Sequence, residues 1–410
     1  MSTAAPAEVQ AAALEDTSLR SIMRARWDAL RSGDVGSLPV IIGIVAITLV
    51  FTSKSGIFFS AVNFTNLIGQ MAGTTVIAFG VVFVLLIGEI DLSIGFVSGV
   101  AGVVVAELQL PGSGHQVPGL IAIAAALAAG AAIGAVQGSF VALIGVPSFV
   151  VTLAGLLAWQ GVILQALGTQ GVIGIQDKQI NDISNYVLPK NIGWAIAIIF
   201  SVGYAAAVFG SFIARRRAGL RTGNPVLAAL RVLFFSALAI AAVAVSNHTR
   251  GFPLVGLIVL FLVVLGSYVA GRTTFGRHVY AVGGSAEAAR RAGINVKLIR
   301  IYVFMISGAM AGMGGVIFAS RLNSVDLTAG GGTILLDSIS AAVIGGVSLF
   351  GGRGRVSGAL FGGLIIGMIA NGIDLVGYTD AVKFITTGVI LLAAVTLDTV
   401  LRRRQAAAGR

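Results

Sequence analysis

Cysteine is absent from this 410-residue chain, and charge is scarce, since only 10% of the residues are Asp, Glu, Lys or Arg. The absence of cysteine excludes disulfides, thiolate metal sites and cysteine nucleophiles. The three histidines fit no metal-ligand spacing. Soluble domains carry roughly a quarter charged residues. The low charge content, together with 57% apolar residues, therefore indicates a polytopic membrane protein.

The sequence also lacks a phosphate-binding loop. The glycine-rich run 345–358 contains Arg353 and Arg355, but not the Gly-Lys-Ser/Thr ending that places a lysine on phosphates. We therefore expect no cofactor bound by this chain. A membrane enzyme would need catalytic groups converging at one membrane face, and the sequence shows none. We expect neither catalytic residues nor a metal site.

Apolar stretches predict an all-α fold, a polytopic transmembrane helical bundle of about twelve spans. The transmembrane domain occupies residues 39–400, between a polar N-terminal tail (1–38) and a basic C-terminal tail (401–410). The first 38 residues lack the apolar core and cleavage site of a signal peptide. The predicted spans are 39–53, 63–87, 91–109, 119–143, 147–168, 191–213, 226–246, 252–270, 298–320, 333–350, 356–373 and 378–400.

The basic residues predict the orientation. If the N-terminus is cytoplasmic, most of the 27 Lys and Arg residues fall in cytoplasmic segments beside the spans. Both termini are then cytoplasmic, and so is the charged loop 271–297. Because these basic residues form short clusters beside apolar spans, their placement argues against nucleic acid as a partner, despite a net charge of +11.

A short internal echo predicts inverted repeats. Ile-Asp-Leu-Ser (90–93) follows the second span and Val-Asp-Leu-Thr (325–328) follows the ninth, so an odd number of spans separates the copies. Inverted repeats are common in transporters. The sixth and seventh spans (about 191–246) would be a helix pair inserted into a core of about ten spans. GxxxG spacings predict close helix crossings at 130/134, 134/138, 308/312, 358/362 and 363/367.

The longest charged break between spans contains a short helix with both ends specified. Ser285 can act as its N-cap, Glu287 lies in the first turn, and Arg290 and Arg291 lie in the last turn. Gly293 follows as the left-handed residue that ends the helix. A helix this short needs a surface to lie on. A bilayer face on one side and a protein partner on the other would provide one.

Polar side chains within the spans have two interpretations. Glu89 and Asp91, between the second and third spans, either cap the third span or face a pathway. They could also relay protons in a coupled symporter. Hydroxyl and amide groups suit a sugar pathway, but hydrogen bonding between helices is their more ordinary role. The other candidates are Ser93, Gln137, Ser148, Thr152, Asp337 and Asn371.

The chain resembles the permease subunits of bacterial carbohydrate ABC importers, the ribose/xylose type. The segments that carry the resemblance are 88–99, 146–161, 273–296 and 337–363. The inserted span pair makes it more similar to the xylose permeases. The resemblance implies that residues 284–294 form the coupling helix that docks on a cytoplasmic ATPase. It assigns coupling to Gly284, Ser285, Glu287, Arg290, Arg291, Gly293 and Asn295.

The resemblance also implies the partners. Two permease copies would form the pathway at their interface, and two ATPase copies using ATP and Mg would bind on the cytoplasmic side. A periplasmic or lipid-anchored sugar-binding protein would deliver the substrate. The expected function is import of a monosaccharide, a pentose such as D-xylose, across the bacterial inner membrane by alternating access. The alternative is a stand-alone proton- or ion-coupled sugar symporter, which has no need of a docking helix.

Overall fold

The structure is a computed structural model, and it describes residues 38–407 except 111, 113, 115, 221 and 222. The predicted N-terminal tail lies outside the described residues apart from Leu38. Residues 408–410 of the predicted C-terminal tail also lie outside them. Within the described part, regular structure is helical except for one short two-stranded sheet.

The helices before the charged loop are α1 (Leu38–Lys54), α2 (Ala61–Leu86), α3 (Ile94–Glu107), α4 (Gly119–Ser139, extended by a π-helical turn at Phe140–Ile144), α5 (Ser148–Leu167), α6 (Lys178–Asn185), α7 (Lys190–Arg217), α8 (Pro225–His248) and α9 (Leu254–Arg272). Those that follow are α10 (Thr274–Gly284), α11 (Ala286–Arg291), α12 (Val296–Leu322), α13 (Ile334–Ile344), α14 (Gly358–Val376) and α15 (Asp380–Ala407). Strands β1 (Val172–Gly174) and β2 (Ser324–Asp326) pair antiparallel.

Eight helices in the described part are long and apolar enough to cross a membrane: α2, α4 with its π-helical turn, α5, α7, α8, α9, α12 and α14. The apolar helices α1, α3 and α13 are shorter. The prediction of an all-α polytopic bundle is confirmed. The number of spans and the cytoplasmic position of both termini stay predictions.

Two predicted spans are longer than the helices found there. The span predicted at 333–350 contains α13, which has only 11 residues. At 1.5 Å per residue it covers about half of a 30 Å hydrocarbon layer. It stops because Gly345 is followed by Gly346, whose φ of +89° is left-handed. The span predicted at 91–109 contains α3, with 14 residues.

Helix α12 is the centre of the bundle and packs against α2, α3 and α4. Its crossing with α4 is very close, since a Cβ built at Gly308 would lie 2.0 Å from the carbonyl oxygen of Gly130. A Cβ at Gly134 would lie 2.1 Å from the carbonyl oxygen of Phe304. These contacts confirm the close crossing predicted from the glycine spacing at these positions.

The two copies of the echo run in opposite directions. Helices α2 and α12 are antiparallel, because Gly80 lies against Ser307 whereas Gly73 lies against Phe318. The first copy consists of α2, α3 and α4, and the second of α12, α13 and α14. The third helix of each copy packs on the first helix of the other, since α4 contacts α12 and α14 contacts α2. The repeated sequence motif therefore belongs to two structural repeats of opposite direction.

Helices α7 and α8 lie at the positions of the predicted span pair. They pack against each other, with the rings of Tyr204 and Phe235 5.6 Å apart. Most of their apolar side chains are exposed, including Ile199 and Phe234. Faces of this composition suit contact with lipid or another subunit. That the pair is an insertion stays a prediction.

Candidate functional site

The short helix in the charged loop is α11, and it forms as predicted. The Ser285 hydroxyl accepts a hydrogen bond of 3.2 Å from the backbone N–H of Ala288. Gly293 has a φ of +83° and follows the end of the helix. The inner face carries Ala289, which is buried. Both capping predictions are confirmed, and docking on an ATPase stays a prediction.

The outer face of α11 is charged and exposed. Glu287 contacts Arg290 and Arg291, each at 3.2 Å, through the i+3 and i+4 spacings. All three side chains are more than half exposed. Exposed pairs of this kind stabilise a protein by about 0 to 1 kcal/mol. The pairs therefore add little stability, and they leave a charged surface exposed.

The residues around α11 also include a helix that the sequence analysis missed. Helix α10 starts after Thr273, whose hydroxyl accepts from the N–H of Gly276 at 3.1 Å. Gly284 joins α10 to α11, and a Cβ added there would meet nothing within 4 Å. Asn295 caps the next helix, since its side-chain oxygen accepts from the N–H of Leu298 at 3.1 Å. The charged loop is therefore two short helices seated on α12.

A glycine junction, made by Gly88, Gly283, Gly351 and Gly352, joins α10 to the end of α2. The N–H of Gly352 donates to the carbonyl oxygen of Leu86 at 2.9 Å. A Cβ at Gly283 would lie 1.8 Å from that same oxygen, and one at Gly351 would lie 2.9 Å from the nitrogen of Gly88. Three backbone segments are thus in direct contact, and only glycine permits this spacing.

Tyr280 attaches α10 to the same glycine-rich loop. Its hydroxyl donates to the carbonyl oxygen of Gly354 at 2.8 Å. Burial raises the pKa of the Tyr280 hydroxyl above its usual range, and the nearby Arg355 opposes this increase. The hydroxyl therefore keeps its proton at neutral pH and acts as a hydrogen-bond donor.

Beyond the glycine junction lies a buried polar cluster centred on Asp91. Its Oδ1 accepts from the backbone N–H and the hydroxyl of Ser93, at 3.0 and 2.7 Å. Its Oδ2 accepts from the hydroxyl of Ser307 at 3.3 Å. Gln137 donates to Ser93 Oγ at 3.0 Å. The cluster therefore ties the α2–α3 link to α4 and α12.

Ser93 occupies the N-cap position of α3, but its side chain makes no cap hydrogen bond to that helix. The start of α5 joins the same cluster. Ser148 Oγ accepts from the N–H of Ile90 at 3.2 Å, and Thr152 Oγ1 donates to the carbonyl oxygen of Ser148 at 2.9 Å. Glu89 pairs with Arg300 at 3.1 Å.

The structure therefore brings six of the candidate polar residues together: Glu89, Asp91, Ser93, Gln137, Ser148 and Thr152. The remaining two lie elsewhere. Asp337 accepts from the hydroxyls of Thr333 and Thr387, and it links α13 to α15. Asn371 exchanges hydrogen bonds of 2.8 and 2.9 Å with Asn63, and it links α14 to α2. The contacts of these two are hydrogen bonds between helices.

Sequence reasoning missed two partners in this region. Ser307 lies within an apolar stretch of α12, and no local pattern marks it as the partner of Asp91. Arg300 lies in the second turn of α12, without a nearby acid in the sequence. The paired glycines at 351–352 were a usable signal for the junction, because glycine has no Cβ and permits a close backbone approach. Among the described residues, no group of acids and histidines is placed to hold a metal ion.

The Glu89–Arg300 pair gives a prediction for stability. Both side chains are largely buried, with 14% and 29% exposed. Glu89→Gln and Arg300→Gln should each lower the free energy of unfolding by about 1 to 2 kcal/mol, between the values for exposed and buried pairs. The double variant should lose less than the sum of the two. Thermal unfolding of the purified protein in detergent measures this, and strictly additive losses would contradict the pairing.

Gly293 gives a second prediction. Valine at this position must adopt a positive φ, which costs about 1 to 2 kcal/mol, although its Cβ would meet nothing within 4 Å. Amide exchange in α11 should therefore become about tenfold faster in Gly293→Val. Gly284→Val is the matched control, since Gly284 is equally open but does not have a positive φ. Unchanged exchange in Gly293→Val would show that this C-cap is unimportant.

An apolar bundle of antiparallel repeats, with a buried polar cluster and an exposed, charged short helix, is typical of a multi-pass membrane transport protein. The sequence profile of the family described as branched-chain amino acid transport system / permease component matches residues 63–395. The chain belongs to this permease family.

Several curated proteins are similar to the chain over nearly its whole length. The xylose transport system permease protein XylH of Escherichia coli (strain K12) is 35% identical over 379 residues, covering 92% of this chain and 95% of the relative. The ribose import permease protein RbsC of the same strain is 33% identical over 358 residues, covering 87% and 92%. The fructose import permease protein FrcC of Rhizobium meliloti is 29% identical over 367 residues, covering 90% and 86%. No solved structure matches the chain.

Proposed function

We propose that this protein is the transmembrane subunit of an ATP-binding-cassette importer for a monosaccharide, a pentose such as D-xylose. It moves the sugar across the bacterial inner membrane by alternating access, and a separate subunit hydrolyses ATP. Similarity to permeases named for xylose and ribose supports the substrate class. The higher identity to the xylose permease favours D-xylose.

The exposed, doubly capped helix α11 is the observation that carries the partner assignment. A helix of 6 residues cannot persist in water alone. Here it is held by its caps and by packing on α10 and α12, and it presents Glu287, Arg290 and Arg291 outward. A short helix with exposed charged side chains at one end of a membrane bundle suits a groove on a soluble ATPase. The α11 end is then cytoplasmic, as are both termini.

A contact path leads from α11 into the bundle. Helix α10 directly precedes α11, and the glycine junction places α10 against the backbone of Leu86 at the end of α2. Asp91 follows a few residues later and binds α12 through Ser307. A ligand shifts such an equilibrium only by its differential affinity for the two states. ATP bound in the partner supplies that difference through α11.

The complete importer contains two copies of this permease, two ATPase subunits and a periplasmic or lipid-anchored sugar-binding protein. The largely exposed face of α5, which includes Leu157 and Leu164, supports a second copy or lipid as its neighbour.

Uptake of radiolabelled D-xylose and D-ribose tests this function. Cells would carry this permease with its neighbouring ATPase and binding protein, and each partner would be deleted in turn. The proposal predicts that uptake is lost without the ATPase. Uptake that survives this deletion, but collapses with a proton uncoupler, would establish a symporter instead. Asp91, the buried carboxylate, would then be the first residue to mutate.

A further inference from the structure

The second copy of the repeated turn lies beside a cavity at the opposite end of α12 from α11. In this turn, Asp326 Oδ1 accepts from the backbone N–H and the hydroxyl of Thr328, at 2.8 and 2.7 Å. Asp91 makes the same pair of bonds with Ser93, at 3.0 and 2.7 Å. The two repeats therefore build one turn twice, at opposite ends of the bundle.

The two turns differ at the second carboxylate oxygen. Asp91 Oδ2 accepts from the hydroxyl of Ser307. Asp326 Oδ2 accepts no hydrogen bond from any residue that the structure describes. Asp326 instead borders a cavity of about 260 Å³. In the buried copy of the turn, the corresponding oxygen of Asp91 accepts from a hydroxyl group.

The cavity offers hydrogen-bond acceptors. Besides Asp326 it is lined by the hydroxyl residues Ser98, Ser324 and Thr328. Each of these hydroxyls already donates within the protein: Ser98 to Gly95, Ser324 to Leu322, and Thr328 to Asp326. Their free lone pairs and the carboxylate therefore suit a ligand that supplies several hydroxyl donors.

The other lining groups fit the same ligand. Phe318 adds an aromatic ring, and backbone from Gly330 to Gly332 forms part of the wall. Lys and Arg are absent from the described lining, so an anionic ligand would be repelled by Asp326. The volume lies just below the range of about 300 to 1,000 Å³ for sites that hold drug-sized ligands. A single small sugar fits this space.

We propose that this cavity is a binding site for a neutral monosaccharide, with Asp326 as the acceptor for its hydroxyl groups. The site lies within one permease chain. The proposal deepens the transport function above and rests on it.

Equilibrium binding of radiolabelled D-xylose, D-ribose and D-fructose to the purified full chain in lipid nanodiscs tests the site. Asp326→Asn keeps an oxygen for the turn, but replaces the free carboxylate oxygen with an amide donor. This should weaken binding about tenfold or more, because hydrogen bonds to charged groups are the strong ones. Asp374→Asn is the matched control, since Asp374 is exposed and close to Arg321 at the same end of the bundle but does not line the cavity. Ser324→Ala should weaken binding about threefold, since it removes one neutral acceptor.

The outcomes separate the site from the function. Saturable binding that Asp326→Asn weakens and Asp374→Asn leaves intact supports the site. No binding of any of the three sugars by the wild type, or equal binding by wild type and Asp326→Asn, overturns it. If Asp326→Asn lowers cellular uptake but not binding, the cavity receives the binding protein instead, which also overturns the proposal. If the binding results overturn the site while cellular uptake still depends on the ATPase, the proposed transport function remains supported.

Discussion

Gly308→Ala is expected to destabilise the bundle by about 3 kcal/mol, the upper end for overpacking. The added Cβ would lie 2.0 Å from the carbonyl oxygen of Gly130, and the reciprocal Cβ at Gly130 would lie 2.2 Å from the carbonyl oxygen of Gly308. Backbone atoms on both sides leave no flexible side chain to move. Helices α4 and α12 must therefore separate.

Thermal unfolding in detergent and the yield of monodisperse protein measure this effect. Gly161→Ala on α5 is the matched control, because a Cβ there would meet nothing within 4 Å. The control should melt like the wild type, whereas Gly308→Ala should melt far lower or fail to accumulate. Equal melting of both variants would mean that the α4–α12 crossing is looser than described.

Reversing charge at Arg290 and Arg291 together should reduce ATPase-dependent uptake about tenfold or more. Like charges placed across an interface cost several kcal/mol, and each 1.4 kcal/mol corresponds to a factor of ten. Both side chains are exposed, so the double variant, Arg290→Glu with Arg291→Glu, removes their ion pairs with Glu287 but no buried contact between α11 and the bundle. The permease should still insert and reach normal levels.

The matched control is Arg215→Glu with Arg216→Glu. These arginines are also exposed, lie in the last turn of α7, and give the same change in charge on a different helix. The control should transport normally. Full uptake by the α11 variant, or equal loss in both double variants, would remove α11 from the coupling path.

The sequence is sufficient to predict α11 because everything that defines it is local. Its N-cap bond spans three residues, its ion pairs span three and four, and its end depends on one glycine conformation. The glycine crossing of α4 and α12 was predictable for a similar reason, since small residues one helical turn apart mark a close-packing face.

The Asp91 cluster was not predictable as a unit. Gln137 lies 44 residues from Ser93, and Ser307 lies 216 residues from Asp91. No local pattern encodes such separations, and each residue alone is explained equally well by bonding between helices. The length of α13 was also missed, because hydropathy continues past Ile344 while two glycines end the helix.

The central claim is that α11 contacts the ATPase, and site-specific cross-linking tests it most directly. The chain has no cysteine, so single cysteines can carry a photoactivatable maleimide without background. Ala288→Cys places the label on the exposed face of α11, and Ala218→Cys places a control label just after α7. The account predicts that the ATPase cross-links at position 288 and not at 218. Absence of a cross-link at 288, or equal cross-linking at both positions, would contradict it.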